Sequence, residues 1–138
     1  MNRFFYVVVL AFFVTAYMQS QETKAKIVHI QNEILQVEIA THGAELKSIK
    51  AIKTNKEYLW QGDTDYWNQT SPVLFPCIGK SWNNEIRYNG KSYPMKPHGF
   101  ASKKDFELIK KSDKDAWFLL ESDKESLTMY PFEFELYV

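Results

Sequence analysis

Ser71–Phe100, SPVLFPCIGKSWNNEIRYNGKSYPMKPHGF, decides how this chain folds. It packs a proline-bounded apolar run, a Gly-Lys corner, an Asn-Gly turn and a Pro-His-Gly-Phe turn into one short stretch. Asn89-Gly90 lies between the β-formers Ile86-Arg87-Tyr88 and Lys91-Ser92-Tyr93. Both turn positions accept positive φ, so the pair predicts a two-residue hairpin of type I′. Pro72 and Pro76 bracket Val73-Leu74-Phe75, which reads as a short apolar strand. Pro97 fixes the backbone entering His98, and Gly99 permits a sharp turn that aims the imidazole out of the sheet. Phe100 is then either an anchor in the core or an apolar wall beside a ligand.

Outward from this stretch the pattern is that of strands. Lys26–Ile30 and Ile34–Ile39 are apolar-rich runs joined at Asn32-Glu33. In the second, Leu35, Val37 and Ile39 share one face while Gln36 and Glu38 take the other, the period-2 mark of a half-buried strand. Glu45–Ile52 carries Leu46, Ile49 and Ile52 at a spacing that also suits a helix. The turn Thr54-Asn55-Lys56 favours a strand, with a phase slip near Ser48 of the kind a β-bulge produces. Glu57–Trp60 is expected to pair with it, and residues 61–70 read as a loop carrying Tyr66 and Trp67. Asp105–Lys110 and Ala116–Glu121 predict a hairpin around residues 112–115. Phe132, Phe134, Leu136 and Val138 alternate with Glu133, Glu135 and Tyr137 as a last strand. That strand stops in mid-alternation and predicts a chain cut within a single domain, leaving an uncovered edge.

Composition narrows the partners. The 17 basic and 17 acidic side chains balance, so no net field draws nucleic acid or anionic lipid. A chain 45% hydrophobic and 16% aromatic folds around a core instead of staying disordered. Cys77 is the single cysteine, which excludes an internal disulfide and a thiolate metal cluster. At the N-terminus, Asn2 and Arg3 precede the unbroken apolar run Phe4–Met18. That run falls short of the roughly 20 residues that span a bilayer, but it suits a signal-peptide core. With small residues at Val14-Thr15-Ala16, residues 1–20 are expected to be a signal peptide, an uncleaved N-terminal anchor being the alternative. The mature part, residues 21–138, is then secreted or periplasmic, with no stable membrane insertion after cleavage.

Several side chains could carry chemistry. His29 and His42 have no second ligand at metal spacing, so no zinc site is expected. Asn68-Gln69-Thr70 is formally a glycosylation acceptor. Lys103-Lys104 and Lys110-Lys111 read as solvated surface. Of the tryptophans, Trp60 and Trp117 are expected in the core. Trp67 and Trp82, in loops on either side of the apolar run, are open between core and ligand stacking.

Four blocks in sequence carry a family resemblance: THGAELKSIK from Thr41, EYLWQGDTDYW from Glu57 followed by SPVLFPCIGK from Ser71, YNGKSYPMKPHGF from Tyr88 and YPFEFEL from Tyr130. Together they resemble the aldose 1-epimerases, or galactose mutarotase-like proteins, in the bacterial subgroup related to lactose-operon mutarotase-like proteins. The resemblance implies an all-β fold, an antiparallel β-sandwich with a hexose bound in a cleft on one sheet. Here it would be the N-terminal part, and incomplete. It implies a cofactor-free reaction in which a base takes the anomeric proton while an acid protonates the ring oxygen, opening the ring for reclosure as the other anomer. The family's base, a late glutamate, and its acid, a histidine of the second half, match positions beyond Val138. No catalytic residue is therefore assigned.

His98 matches an earlier histidine that holds sugar oxygens. The family's binding arginine falls at Lys80, which keeps the charge but loses the planar fork of donors. Many relatives also have arginine where Ser102 stands. The candidate substrate-binding set is His98, Lys80, Gly99, Phe100 and Trp82. Two alternatives stay open: a non-catalytic secreted carbohydrate-binding β-domain, and a truncated remnant without function.

Overall fold

The structure, a computed structural model, describes residues 25–138. The expected signal peptide lies outside the described residues. Two three-stranded antiparallel sheets and one hairpin make up the strands. The first sheet joins β1 (Ile27–Gln31), β2 (Leu35–Ala40) and β3 (Glu45–Ala51) in sequence order. Asn32 makes the first turn, its Oδ1 accepting the amides of Ile34 and Leu35, both at 2.8 Å. An asparagine side chain can mimic a backbone acceptor in this way, which is why it nucleates turns.

The expected bulge is present. Glu38 faces Ser48, whereas Ile39 faces Leu46, so Lys47 is the extra residue. The slip lets Leu46 and Ile49 share the core face, opposite Ile39 and Val37, despite their odd spacing. That resolves the helix-like pattern in this segment.

The Asn-Gly hairpin forms as the sequence predicts, with β4 (Glu85–Tyr88) paired to β5 (Lys91–Pro94). Asn89 and Gly90 have φ of 48° and 73°, the left-handed values a type I′ turn requires. The second sheet orders β6 (Glu107–Lys111), β7 (Ala116–Glu121) and β8 (Glu135–Tyr137). One helical turn, α1 (Ser126–Met129), interrupts the path from β7 to β8. Asp123 and Ser126 cap it reciprocally: the Ser126 amide donates to Asp123 Oδ1 at 2.6 Å, and the Asp123 amide to Ser126 Oγ at 2.8 Å.

The two sheets share one core. Val28 of β1 and Ile39 of β2 meet Phe118 and Leu120 of β7, with Ala44, Ala101 and Phe106 between them. Phe118, only 1% exposed, is its largest fully buried side chain. The turn after β2 is tied to the segment leading into β6, the Gly43 amide donating to Lys104 O at 2.8 Å and the Phe106 amide to Thr41 O at 2.9 Å.

Several expectations are corrected. Val73–Phe75 is not a strand: Phe75 makes a single parallel bridge to Gly99, and the Phe75–Pro76 peptide is cis. Pro72 and Pro76 have no N–H to give to a ladder, so the run cannot extend. Glu57–Trp60 is likewise limited to one bridge, between Glu57 and Lys50. Trp60 therefore escapes strand alternation and stays half exposed, its Nε1 donating to Trp67 O at 2.8 Å. Trp117 is half exposed as well, because β7 turns Phe118 and Leu120 inward and leaves Trp117 on the other face. The last strand is shorter than the alternation suggests. Only Glu135–Tyr137 forms β8, while Tyr130, Phe132 and Phe134 stack on one another and on Phe75 and Tyr88.

Candidate functional site

Two chain segments lie side by side where the proline-bounded run meets the Pro-His-Gly-Phe turn. Phe75 O accepts the amides of Phe100 at 2.9 Å and Ala101 at 3.2 Å. Gly99, at φ +76°, comes so close that a Cβ there would sit 2.0 Å from Phe75 O. His98 precedes it at φ +67°, also left-handed. The same turn clasps the Gly-Lys corner in both directions. The His98 amide donates to Gly79 O at 2.8 Å, and the Gly79 amide donates to His98 Nδ1 at 3.1 Å.

Beside this junction is a half-enclosed cleft of about 480 Å³. Its apolar wall is Trp67, Pro72 and Leu74; its polar rim is Gln69, Lys96, His98, Ser102 and Lys103. An apolar wall facing a few donors is the chemistry of a small polar ligand with a hydrophobic face. A larger hollow, about 690 Å³, lies between the turns at Asn32 and Asp113, but it is shallow and polar, with Ile34 its single apolar residue.

The structure brings some of the expected site residues together and separates others. His98 and Gly99 line the cleft. Lys80 is exposed on the clasped corner, next to Gly79 but not on the cleft lining. Phe100 takes the anchoring role of the two the sequence allowed. It is buried, its ring edge-on to Phe75 at 6.0 Å. Trp82 is 80% exposed at the start of a short 3₁₀ turn, Trp82–Asn84, away from the cleft.

Trp67, open between core and ligand stacking on the sequence, lines the cleft with Ser102 and with Gln69, Lys96 and Lys103, which no sequence pattern marked for it. Lys103 and Lys104 look alike in the sequence but diverge. Lys104 turns inward to Asp123, at 2.9 Å, and to Glu125, with 15% of its side chain exposed, while Lys103 faces the cleft. The 3₁₀ turn Ala101–Lys103 ends between the two residues, and they serve two purposes.

The loop bearing Trp67 and Gln69 is held by two carboxylates. Glu45 Oε1 accepts the amides of Thr70 at 2.9 Å and Ser71 at 3.2 Å and lies 2.6 Å from Thr70 Oγ1, while Lys47 bonds its other oxygen at 2.7 Å. Partial burial pushes the Glu45 carboxyl up, but the hydrogen bonds from Lys47 and Thr70 outweigh it and hold the group at about 2. Glu57 sits at the loop's start. Its carboxylate takes the Ser48 hydroxyl and the amides of Ile49, Tyr58 and Leu59. Led by the Ser48 bond, these contacts bring it down to about 2 against a smaller opposing effect of burial. Both glutamates are structural clamps; neither lines the cleft.

The other histidines pair with carboxylates, His42 Nδ1 with Asp105 at 2.7 Å and His29 Nδ1 with Glu38 at 3.6 Å. Among the described residues no three His, Cys, Asp or Glu side chains gather as metal ligands. No helix among them is long and apolar enough to cross a membrane.

Comparison with known proteins gives a consistent result. The family model described as aldose 1-epimerase matches residues 26–138. The plasmid-encoded protein LacX of Lactococcus lactis is 36% identical over 116 residues, covering 80% of this chain. The chain spans 38% of that relative's length. A galactose mutarotase related enzyme of Lactobacillus acidophilus superposes with a TM-score of 0.80 at 38% identity, over 81% of this chain and 37% of that one. A galactose mutarotase-like protein of Lactobacillus casei gives 0.79 at 41% identity, over 81% and 38% respectively.

Proposed function

The chain belongs to the aldose 1-epimerase family, and from that premise we propose that the His98 cleft holds a hexose. One observation carries the reading: Trp67, Pro72 and Leu74 line one cleft of about 480 Å³ together with the polar groups of Gln69, Lys96, His98 and Ser102. A pyranose has an apolar C–H face that stacks on an aromatic ring, and hydroxyls around its rim that need positioned partners. Positioning of this kind is half of what anomer interconversion requires, because the ring must be held while protons move at its oxygen and its anomeric hydroxyl.

The other half is the acid and the base. The family resemblance assigns neither role to a residue of this chain. The function proposed for these residues is therefore to bind and orient the sugar of an epimerase site. The apolar run Phe4–Met18 behind Arg3 supports the further proposal that this happens outside the cytoplasm.

Calorimetric titration with D-galactose and D-glucose, alongside polarimetry of freshly dissolved α-anomer, tests the reading. Saturable binding without acceleration of mutarotation above buffer is expected. Absence of binding to either sugar would refute the proposed ligand. Mutarotation accelerated by this chain would refute the division between binding and proton transfer.

A further inference from the structure

We infer that the Gly79 amide fixes His98 as the neutral Nε2–H tautomer, so that His98 meets a ligand as a hydrogen-bond donor and never, while neutral, as a base. Resting on the sugar-binding reading of the cleft, this deepens it by assigning the ring's role. A backbone N–H can only donate. With the Gly79 amide 3.1 Å from His98 Nδ1, that nitrogen accepts, and the proton of the neutral ring resides on Nε2.

The contact is not incidental to the backbone. The return bond from the His98 amide to Gly79 O, at 2.8 Å, closes a two-way clasp. The left-handed φ of both residues, 67° at His98 and 79° at Gly79, sets the ring against the corner. His98 also lines the cleft, and among the described residues Nε2 has no hydrogen-bond partner. The ring nitrogen left for a ligand therefore carries a hydrogen. Its complement is an oxygen with a free lone pair, a pyranose ring oxygen or a hydroxyl.

The charged side chains around the imidazole on the cleft side are Lys96 and Lys103, with Lys80 on the clasped corner. No carboxylate lines the cleft to draw the proton to another position. The tautomer is set by the main chain of a different segment, so Gly79 acts as a positioning residue through its amide. The clasp also couples ligand recognition to the docking of residues 77–80. Losing the Nδ1 acceptor leaves the corner that bears Lys80 held to this turn by the return bond alone.

The experiment reads the ring directly. Two-bond ¹⁵N–¹H correlation spectra of the full chain report the protonated nitrogen of each of its three histidines. The signals of His98 are assigned by their disappearance in H98N. That substitution suits the site because asparagine tolerates positive φ and its side-chain oxygen can accept the Gly79 amide.

The expected result is one neutral species for His98 with Nε2 protonated, and a Gly79 amide protected from exchange. An Nδ1–H tautomer, or a rapid mixture of the two, would overturn the inference whether or not sugar binds. H98N should keep the Gly79 amide protected while weakening D-galactose binding about tenfold, the size of one lost hydrogen bond. Unchanged galactose binding in H98N would overturn the donor role. A fixed Nε2–H ring in a chain that binds no galactose would support the clasp and refute the sugar-binding reading, so the two failures are separable.

Discussion

Gly99→Ala is the substitution most exposed to the geometry of this site, and its cost can be worked from the structure. At φ +76° an alanine bears the penalty of the left-handed region, about 1–2 kcal/mol. The steric problem is larger. The new Cβ would lie 2.0 Å from Phe75 O, 2.4 Å from Phe75 C and 2.6 Å from Pro76 N, all backbone atoms that no side-chain rotation can move aside. Relief requires the two segments to separate. Separation breaks the bonds from the Phe100 and Ala101 amides to Phe75 O, each contributing about 1 kcal/mol.

The sum is about 3–4 kcal/mol, a large share of the roughly 5–15 kcal/mol that stabilises a domain. Gly79→Ala provides the control. It has nearly the same φ, +79°, but nothing within 4 Å of its Cβ, so it should lose only the conformational part, about 1–2 kcal/mol. Urea unfolding followed by tryptophan fluorescence should place the G99A midpoint well below that of G79A, with G79A modestly below the parent. Equal midpoints for the two variants would refute the claim that close backbone approach makes glycine necessary at position 99.

Two further outcomes follow from named contacts. Glu45→Gln should destabilise the chain by about 1–3 kcal/mol near neutral pH, because its carboxylate clamps Thr70 and Ser71. The folded carboxyl is held at about 2 against an ordinary 4.5, so its contribution is full above about 4.5 and fades as pH falls toward 2. Urea midpoints measured from pH 7 down to pH 2.5 should converge for parent and E45Q, and a constant gap would contradict this linkage. Asn89→Ala should cost about 1 kcal/mol, since alanine fits φ 48° poorly in the turn between β4 and β5. A thermal midpoint unchanged by N89A would count against the type I′ assignment.

Local chemistry made much of the fold legible. Asn89-Gly90 names its own turn, and the odd spacing of Leu46 and Ile49 announces a bulge that the structure places at Lys47. The alternation of Val37 and Ile39 correctly marks their buried face. Where the sequence misled, a nonlocal partner was missing or unforeseen. Val73–Phe75 is apolar enough for a strand, but its flanking prolines withhold the donors a ladder needs. Trp117 is large and apolar, yet the inward turn of Phe118 and Leu120 settles that it faces outward.

The site divides in the same way. Pro, His and Gly in series made the turn at His98-Gly99 legible, the family resemblance marked His98 as a sugar-holding candidate, and both residues line the cleft. Phe100 belongs to the core instead, and Trp82 stands clear of the cleft. The Trp67 and Gln69 part of the lining is held by Glu45, which bonds Thr70 from 25 residues away. No local pattern marks a glutamate on β3 as the anchor of a loop that far along the chain.

The central claim is that this cleft, and not another surface of the chain, receives a hexose. Backbone amide spectra of the ¹⁵N-labelled chain titrated with D-galactose test it most directly. The account predicts saturable shifts concentrated at Trp67, Gln69, Lys96, His98, Gly99 and Ser102, with the Asn32–Asp113 hollow silent. Shifts centred on that hollow, or none at saturating sugar, would contradict it.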